Sequence, residues 1–583
     1  MKFLHFCTLI FYFIFLLFIA LGSAISLYSP EDPLWELDGT NFERIVLGKS
    51  NAWIIEFYNN WCGHCIRYAP TWKEFAKDTK TWRRVVDVAV VNCADSQNDK
   101  LCRAYGVNSF PTIKVFSAYT NKTDKGIFLE GNRDVSSVEV SLIKFLESNW
   151  NENVPTKWSI LHPLENSNVR NILETVPESE ESVTLFIEFP DSHIGRKVIM
   201  DLSFQDDVNI RRVLTTNTLL LADLKTPILN SSVPSVIRIH RSGEEESLFK
   251  FSKTTSEKII RDEIFKYFTG QSRRKSDLVS KTDMSNRGKL SSKGFVHMVD
   301  LQNAVHYALK QEVGIVNYIY GQRLDALKDF LFILKAYFPG TDQMRTYLSK
   351  LHKSVENKKN MTGEEFTSEM EQIQDDLAYL PKMEEYVFCK GSNPKYRGYP
   401  CSLWTLFHTL TVQAFSAYEY STHVKENEPD ILQTIRKYVK YFFTCEDCSK
   451  HFQEMAANSE KVVKNPRDAV LWLWEAHNRV NKRLAGDLTE DPSHPKVQFP
   501  TPEMCPKCRI EDSEFMEKIQ WDEGSVLRFL QHFYNREKIL SSVKNQDSSM
   551  AFKDSNSDNS AMVSRSIIGA ASWLCLTMLY YVL

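Results

Sequence analysis

Two cysteine pairs with the spacing Cys-x-x-Cys are the residues best suited to chemistry. Cys62 and Cys65 lie in WCGHC directly after the apolar run AWIIEFY, and Cys445 and Cys448 lie in TCEDCSKHF at a predicted helix start. The helix dipole and the free amide groups at such a start stabilise a thiolate. Because a stabilised reduced form makes the disulfide a good oxidant, both pairs suit thiol–disulfide exchange.

The surroundings of the first pair favour a redox role over a structural disulfide. His64 lies between the two cysteines and can add positive charge, and we expect Cys65 to be the more buried partner. Glu56 interrupts the apolar strand that precedes the pair. Because desolvation raises the pKa of a buried acid, Glu56 can accept and return a proton during exchange.

The second pair has an alternative role in zinc binding. Cys505 and Cys508 in MCPKC would complete a set of four thiolates with Cys445 and Cys448. The interval 449–504 is long for a zinc ribbon, and its pattern is helical. The spacing therefore favours a reactive disulfide, with zinc as the alternative.

Both ends of the chain predict the secretory route. Residues 1–24 have a basic start, an apolar run and small residues, which is typical of a signal peptide. The apolar segment 566–583 follows a polar, disordered stretch at 541–565 and is either a transmembrane helix or the removable tail of a GPI-anchor signal. We expect the protein at a Golgi or cell-surface membrane, or outside the cell after release.

The remaining cysteines agree with an oxidising compartment. Outside the two terminal segments they fall as the close pairs 62/65, 93/102, 389/401, 445/448 and 505/508. Close pairs in the secretory route imply disulfides rather than free thiols. Glycosylation sequons at Asn121, Asn230 and Asn360 fit the same compartment.

Length and hydrophobic pattern predict two α/β units followed by an all-helical half. A chain of 583 residues needs several cores, and its formal net charge of −3 argues against a general nucleic-acid binder. Strands and helices alternate over 30–152, with Pro111 at the entrance of a strand. The order repeats over 156–270 with "TLLLADL" (218–224) in the place of the second strand, Pro234 in the place of Pro111, and no cysteine.

The second half is predicted to be helical throughout. Residues 271–293 are rich in Ser, Lys and Arg and predict a flexible linker. Helical spacing follows in a spacer at 294–385 and in a bundle at 386–540. The spacer helices can take the place of a partner subunit, which favours a monomer.

One bundle helix carries an unusual stripe of polar and aromatic residues. In LWLWEAHNRVNKRLAG, His477 interrupts an apolar stripe that includes Val480, and Trp474, Asn478 and Asn481 form the adjoining stripe. Trp404 and His408 are likewise four residues apart on another helix. Each histidine alone fits a satisfied core residue. Together these faces offer the stacking surfaces and donors that a planar cofactor requires.

Several segments carry a family resemblance. The first unit is similar to thioredoxin folds of the protein disulfide isomerase kind, which implies a cis Pro111 facing the cysteines. Cys93 and Cys102 have neither the spacing nor the setting of a redox site, so we expect them to form a structural pair. The segments RGYPCSLWTLFHTLTVQA, CEDCSKHFQEMAA, AVLWLWEAHNRVNKRLAG and HPKVQFP closely resemble the flavin-binding helical domain of the quiescin sulfhydryl oxidase family. The resemblance covers both α/β units as well. It implies two thioredoxin-like domains, a helical spacer and an Erv-type FAD-binding four-helix bundle.

The resemblance also implies roles for individual residues. It implies structural disulfides at Cys389–Cys401 and Cys505–Cys508, and places Cys448 against the flavin while Cys445 exchanges with the distant dithiol. Phe499 stands where the family has a tryptophan, which keeps an aromatic face and loses the indole N–H. The implied FAD-binding residues are Arg397, Trp404, His408, Asp447, His451, Trp474, His477, Asn478, Val480, Asn481, Lys496 and Phe499.

These features together predict an FAD-dependent sulfhydryl oxidase. Reduced protein thiols would be its substrates and O2 its electron acceptor, with H2O2 as product. Electrons would pass from Cys62/Cys65 to Cys445/Cys448 and then to FAD, with the linker 271–293 as the hinge. One alternative is a disulfide isomerase with an inert helical half, and another is a non-catalytic chaperone or matrix-binding protein.

Overall fold

The computed structural model describes most of the chain between its two terminal segments. The described residues are 26–149, 155, 158–165, 168–176, 180–271, 273, 294–377, 383–420, 429–510 and 519–541. The predicted signal peptide and C-terminal apolar segment lie outside them, as does the linker apart from residues 271 and 273. Among the described residues, no helix has the length and apolar character needed to cross a membrane.

The first α/β unit is built on a five-stranded mixed sheet in the order β1-β3-β2-β4-β5, where β1, β2 and β3 are parallel and β4 and β5 antiparallel to their neighbours. Every residue of the central strand β2 is buried, as expected for a strand covered on both faces. The strands are β1 (Trp35–Leu37), β2 (Ala52–Tyr58), β3 (Val86–Asn92), β4 (Thr112–Phe116) and β5 (Ile127–Phe128). The helices are α1 (Phe42–Val46), α2 (Gly63–Asp78), α3 (Asp99–Ala104) and α4 (Val135–Ser148).

The second α/β unit is a four-stranded sheet in the order β7-β6-β8-β9. Its strands are β6 (Ser182–Glu188), β7 (Ile210–Leu214), β8 (Ser235–His240) and β9 (Glu245–Lys250). Its helices are α5 (Val169–Thr175), α6 (Ile194–Asp201), α7 (Thr218–Asp223) and α8 (Glu257–Thr269).

The predicted strand at 218–224 in this unit was wrong. That segment forms α7, capped by the Asn217 side chain, and the strand lies earlier at β7. Two arginines concealed β7 in the sequence, but the buried Arg212 Nε donates to Glu188 Oε1 at 2.6 Å and thereby pairs its charge inside the sheet. A paired and hydrogen-bonded ion is the form in which a charge can be buried.

A buried ion-pair network joins the two α/β units. Arg261 of α8 donates to Asp201 of α6 at 2.7 Å and to Glu139 of α4 at 3.0 Å. Lys197 of α6 also pairs with Glu139, at 2.9 Å, and Trp82 Nε1 donates to Asp201 Oδ1 at 2.9 Å. Because breaking a buried pair leaves an uncompensated charge, this network holds the two units in one arrangement.

Among the described residues of the second half, the regular elements are helices and a two-stranded sheet of β10 (Ile319–Tyr320) and β11 (Asn360–Met361). The spacer helices are α9 (Met298–Tyr307), α10 (Gln322–Tyr337), α11 (Asp342–Glu356) and α12 (Gly363–Asp376). A π-helical turn, Ala308–Val313, continues α9. The bundle helices are α13 (Gly398–Tyr420), α14 (Ile431–Tyr441), α15 (Glu446–Met455), α16 (Ser459–Val462), α17 (Pro466–Leu484) and α18 (Glu523–Phe533).

Spacer and bundle share one core. Phe330 of α10 stacks on Tyr438 of α14 with ring centroids 4.1 Å apart, and Lys437 pairs with Asp329 at 2.9 Å beside them. α17 begins with Pro466 after an Asn465 cap, a favoured helix start. The spacer helix α10 is therefore packed directly against the bundle helix α14.

Candidate functional site

Cys62 lies at the start of α2, directly after β2 and a short turn. It is the N-cap of the helix and has an extended backbone, and its thiol donates to the Phe110 carbonyl at 3.9 Å. Burial alone would raise the pKa of this thiol. Hydrogen bonds from the Cys65 side chain and from the backbone N–H groups of Cys65 and His64, together with the charge of Arg67, lower the pKa overall.

The burial of Cys65 and the electrostatic role of His64 differ in part from what the sequence predicted. The side chains of Cys62 and Cys65 are both free thiols with no exposed surface, because the helical half covers Cys62. Burial raises the pKa of Cys65 well above its usual value, so Cys62 is the more acidic thiol of the pair. Burial also lowers the pKa of His64 below its usual value, although the Asp447 carboxylate opposes this, and the charge that lowers the pKa of Cys62 comes from Arg67.

Glu56 lies fully buried in β2 beneath the dithiol. Burial raises its pKa to about 8, although a hydrogen bond from Tyr28 opposes the rise. The Tyr28 hydroxyl donates to Glu56 Oε2, and Oε1 has no partner among the described residues. A carboxyl with this pKa can take up and release a proton near neutral pH.

The second dithiol lies at the start of α15 and is oxidised. Cys445 and Cys448 are joined as a disulfide, and Cys445 is fully buried whereas Cys448 is half-buried. Cys505 and Cys508 are bonded to each other. The four cysteines of the zinc alternative are thus two separate disulfides, and Cys93–Cys102 and Cys389–Cys401 complete the bonded pairs.

The two dithiol sites, far apart in sequence, lie against each other. Phe110, which precedes the cis Pro111, forms a parallel β-bridge with Cys445. The Phe110 N–H donates to the Thr444 carbonyl at 2.9 Å, and Asn59 Nδ2 donates to the Thr444 hydroxyl at 3.4 Å. The backbone beside the first dithiol therefore extends onto the backbone beside the second.

Trp61, next to Cys62, is the largest side chain in this contact. Its indole N–H donates to the Tyr307 hydroxyl at 2.6 Å, and its ring stacks on Phe443 at 5.7 Å and meets the edge of Tyr399 at 5.1 Å. We call Tyr307, Tyr399 and Phe443 the aromatic box. Because Trp61 keeps only 8% of its surface exposed, the helical half encloses it.

Polar contacts surround the box. His64 Nδ1 pairs with the Asp447 carboxylate, and Arg67 pairs with Asp487 at 3.4 Å. From the spacer, Gln311 Nε2 donates to Asp99 Oδ2 at 3.0 Å. Asp447, predicted to bind FAD, thus contacts the first α/β unit in this arrangement.

Three of the predicted flavin-binding side chains form a stack between α13 and α17. Trp404 lies parallel to His477 with centroids 4.2 Å apart, and His408 Nε2 is 3.0 Å from His477 Nδ1. Burial lowers the pKa of His408 to about 3, so the imidazole is neutral. Its Nδ1 is buried without a partner among the described residues, which is a polar atom open to a ligand.

A second group of predicted residues holds the segment before the cis Pro500. Trp474 Nε1 and Asn478 Nδ2 both donate to the Phe499 carbonyl, at 2.6 and 2.7 Å, and the Phe499 N–H donates to Asn478 Oδ1 at 2.8 Å. Asn481 Nδ2 donates to the Val497 carbonyl at 3.1 Å. These side chains position Phe499 along α17.

Two cations complete the set. Burial lowers the pKa of Lys496, and nearby Arg397 lowers it further. Arg397 Nη2 donates to the Phe388 carbonyl at 2.6 Å, but its buried Nε has no described partner. Neighbouring half-buried cations suit an anion such as a phosphate. His451 is exposed with Nδ1 at 2.6 Å from the Asp447 carbonyl oxygen, and Val480 is half-buried.

The residues that join the halves, and those that support the first dithiol from within its own unit, were not predicted from the sequence. These are Tyr28, Arg67, Tyr307, Glu312, Tyr399, Phe443 and Thr444. The one sign in the sequence was Glu312, an acidic residue in the mainly apolar helical run HYALKQEV. Glu56 stands out from the apolar strand β2 in the same way. The aromatic box could not be recognised because its members come from three separate segments.

Comparison with protein families assigns the whole succession of units. The thioredoxin family matches residues 33–139, and the QSOX Trx-like domain matches 155–249. The flavin adenine dinucleotide-dependent sulfhydryl oxidase family matches 292–392, and the Erv1/Alr family matches 401–500. Both dithiols and every predicted cofactor residue except Arg397 lie inside these matches.

Full-length relatives decide the family. Sulfhydryl oxidase 1 of Cavia porcellus is 36% identical over 88% of this chain and 83% of that protein. The chain belongs to the quiescin sulfhydryl oxidase family. Human sulfhydryl oxidase 2 is 33% identical over 89% of this chain and 74% of that protein. A sulfhydryl oxidase fragment of human QSOX1 is 39% identical, covering 42% of this chain and 98% of that chain with a TM-score of 0.38.

Membership in the quiescin sulfhydryl oxidase family establishes the class of enzyme. The chain is a flavin-linked thiol oxidase that forms disulfide bonds, and its cofactor is FAD. The thioredoxin-like units precede the helical FAD-binding half, as predicted.

Proposed function

We propose that the chain oxidises reduced proteins by a relay from Cys62/Cys65 to Cys445/Cys448. The observation that supports it most strongly is the β-bridge between Phe110 and Cys445, which joins a free dithiol to a disulfide. The Cys62 thiolate attacks Cys445, so a Cys62–Cys445 bond forms and Cys448 leaves as a thiolate. Cys65 then attacks Cys62, which closes the first disulfide and releases the Cys445 thiolate.

The first half-reaction requires the units to separate. Cys62 has no exposed surface in this arrangement, so a protein thiol can reach it only after Trp61 leaves the aromatic box. A substrate thiolate then attacks the Cys62–Cys65 disulfide, and a second substrate thiol completes the new disulfide and leaves both enzyme cysteines reduced. We place the hinge in the segment 271–293.

Glu56 and Arg67 serve the exchange from the first unit. The charge of Arg67 favours the Cys62 thiolate. Glu56, with a pKa of about 8, can hold the proton that Cys65 loses when it attacks. Tyr28 keeps the carboxyl in place through its hydrogen bond to Oε2.

The helical half has side chains that fit FAD. The flat surfaces of Trp404 and His477 and the unpartnered His408 Nδ1 suit a planar heteroaromatic ring, and Arg397 with Lys496 suits its phosphates. The other predicted residues that would hold it are Asp447, His451, Trp474, Asn478, Val480, Asn481 and Phe499. When bound, FAD supplies a two-electron acceptor for the Cys445/Cys448 dithiol, and its reoxidation by O2 gives H2O2.

We place the enzyme in the secretory pathway, attached to a Golgi or cell-surface membrane through 566–583 or released outside the cell. The sequons at Asn121, Asn230 and Asn360 support this, since all three side chains are exposed. The shared core of α10 and α14 favours a monomer. Glycosidase sensitivity and light scattering of the purified protein test these two points.

Cys62→Ser tests the relay. We expect the variant to lose oxidation of a reduced protein and to keep slow flavin reduction by dithiothreitol, because Cys448 is half-buried and open to a small dithiol. Oxygen uptake and the visible flavin spectrum are the measurements. Undiminished oxidation of the reduced protein by Cys62→Ser would contradict the proposal.

A further inference from the structure

A buried carboxyl that the relay has not used lies beside the contact between the two dithiols. Glu312 belongs to the π-helical turn Ala308–Val313 of the spacer, and 1% of its surface is exposed. Both of its oxygens point at one residue of the bundle. The Thr444 N–H donates to Oε2 at 2.7 Å, and the Thr444 hydroxyl donates to Oε1 at 3.0 Å.

Thr444 is the residue on which the two halves meet. Its carbonyl accepts the Phe110 N–H at 2.9 Å, and its hydroxyl accepts from Asn59 at 3.4 Å. The next residue is Cys445, which forms the β-bridge with Phe110. Because Glu312 bonds both the N–H and the side chain of Thr444, it fixes the backbone that carries Cys445. A π-turn is rare and is frequently found at functional sites.

We propose that Glu312 is a positioning residue for the exchange between Cys62 and Cys445, and that it links the docking of the two halves to a proton. This inference rests on the relay proposed above. By holding Thr444, Glu312 presents the carbonyl that Phe110 docks on and the sulfur that Cys62 attacks. In that attack the Cys62–Cys445 bond forms, the Cys445–Cys448 bond breaks, and the electron pair leaves with Cys448.

The groups around Glu312 explain why docking of the two halves changes its protonation. Facing it are the Cys62 thiol from the first unit and the phenols of Tyr307, Tyr399 and Tyr438 from α9, α13 and α14. No ion pair to it occurs among the described residues, and the lysine of its own turn, Lys310, pairs with Glu371.

Burial raises the pKa of Glu312 to about 8, against the Thr444 hydrogen bonds that lower it, and negative charge on Cys62 raises it further. When the first unit leaves, Glu312 regains water and its pKa falls toward that of a free glutamate. Docking therefore takes up a proton at pH values between these two pKa values, and it weakens as the pH rises toward about 8.

Two substitutions at Glu312 separate positioning from folding. Glu312→Ala removes both bonds to Thr444, whereas Glu312→Gln keeps an acceptor for the N–H and a partner for the hydroxyl but cannot ionise. Lys310→Ala is the matched control in the same π-turn. Each is made in the full-length, FAD-loaded enzyme and mixed with a reduced, unfolded protein while flavin absorbance is recorded.

We expect Glu312→Ala to slow transfer from the first dithiol about ten- to hundredfold, the usual effect of misplaced reacting groups. Direct reduction of Cys445–Cys448 by dithiothreitol should be unchanged in the same variant. Glu312→Gln should restore transfer near neutral pH and lose the fall that the wild type shows as the pH rises toward about 8. Lys310→Ala should match the wild type.

A second readout does not depend on turnover. In a Cys65→Ser/Cys448→Ser background the Cys62–Cys445 mixed disulfide accumulates on oxidation and is quantified by peptide mass spectrometry, and Glu312→Ala should lower its yield. Wild-type transfer in Glu312→Ala, an equal loss of dithiothreitol reduction, or no rescue by Gln each overturns the proposal. None of these results touches the relay, which fails only if Cys62→Ser still oxidises protein.

Discussion

Removing the indole of Trp61 should uncouple the two dithiols without damaging either one. An aromatic side chain of this size buries roughly 200 Å². If about half of that area is covered by the aromatic box, its loss at about 25 cal/mol per Å² weakens docking by about 2.5 kcal/mol. The hydrogen bond to Tyr307 adds about 1 kcal/mol. A total of about 3.5 kcal/mol corresponds to a docking constant roughly 300- to 400-fold lower.

The assay compares two routes to the same flavin. Trp61→Ala should slow flavin reduction by a reduced protein by up to the factor by which the docking constant falls. Dithiothreitol, which reaches Cys445–Cys448 directly, should reduce the flavin at the wild-type rate. Trp61→Phe is the graded control, because it keeps most of the packing and loses the indole N–H. Its loss should be about fivefold, as expected for one hydrogen bond.

If Trp61→Ala transfers electrons from protein substrates as fast as the wild type, the contact between Trp61 and the aromatic box does not control docking. If Trp61→Ala and Trp61→Phe slow flavin reduction by a reduced protein equally, the aromatic box contributes nothing to docking through packing. A matched loss with dithiothreitol would indicate damage to the bundle instead of loss of docking.

Three further predictions concern the first half of the chain. Tyr28→Phe should raise the pKa of Glu56 above about 8, since the Tyr28 hydrogen bond lowers it, and the pH profile of substrate-thiol oxidation should shift upward with it; an unshifted profile would remove Glu56 from proton transfer. Arg261→Ala should lower the free energy of unfolding by about 3–5 kcal/mol, because the buried Asp201 and Glu139 both lose the guanidinium that they share, although Lys197 still pairs with Glu139; an unfolding curve in denaturant measures this, and an unchanged midpoint would contradict it. Shortening 271–293 sharply should slow transfer between the dithiols while both half-reactions, measured separately, persist; normal turnover would place the hinge elsewhere.

The local patterns were predictable from the sequence, and the contacts between distant segments were not. The strand–WCGHC–helix order and the spacing of Trp404 and His408 follow from short-range rules, and the structure places them accordingly. The segment TLLLADL was wrongly predicted as a strand because its apolar run outweighed the Asn217 cap that starts a helix there. The true strand β7 was hidden by Arg212, whose burial depends on Glu188 from the neighbouring strand.

The burial of Cys62 shows the same limit. The sequence of the first unit led us to expect Cys65 to be the more buried cysteine, whereas neither side chain has exposed surface. The helical half removes the difference by covering Cys62, through residues that come from the spacer and from two bundle segments. A property set by a second unit has no signature in the sequence of the first.

Closure around Cys62 also has a consequence for the fate of captured electrons. In the docked arrangement no surface of this sulfur is open to solvent, so glutathione and other abundant small thiols cannot intercept the intermediate linked through Cys445. A mixed disulfide formed in the docked arrangement is therefore resolved by the enzyme's own cysteines. The same closure means that loading and discharge alternate, so at saturating client concentration the frequency with which the two halves part sets the ceiling on throughput.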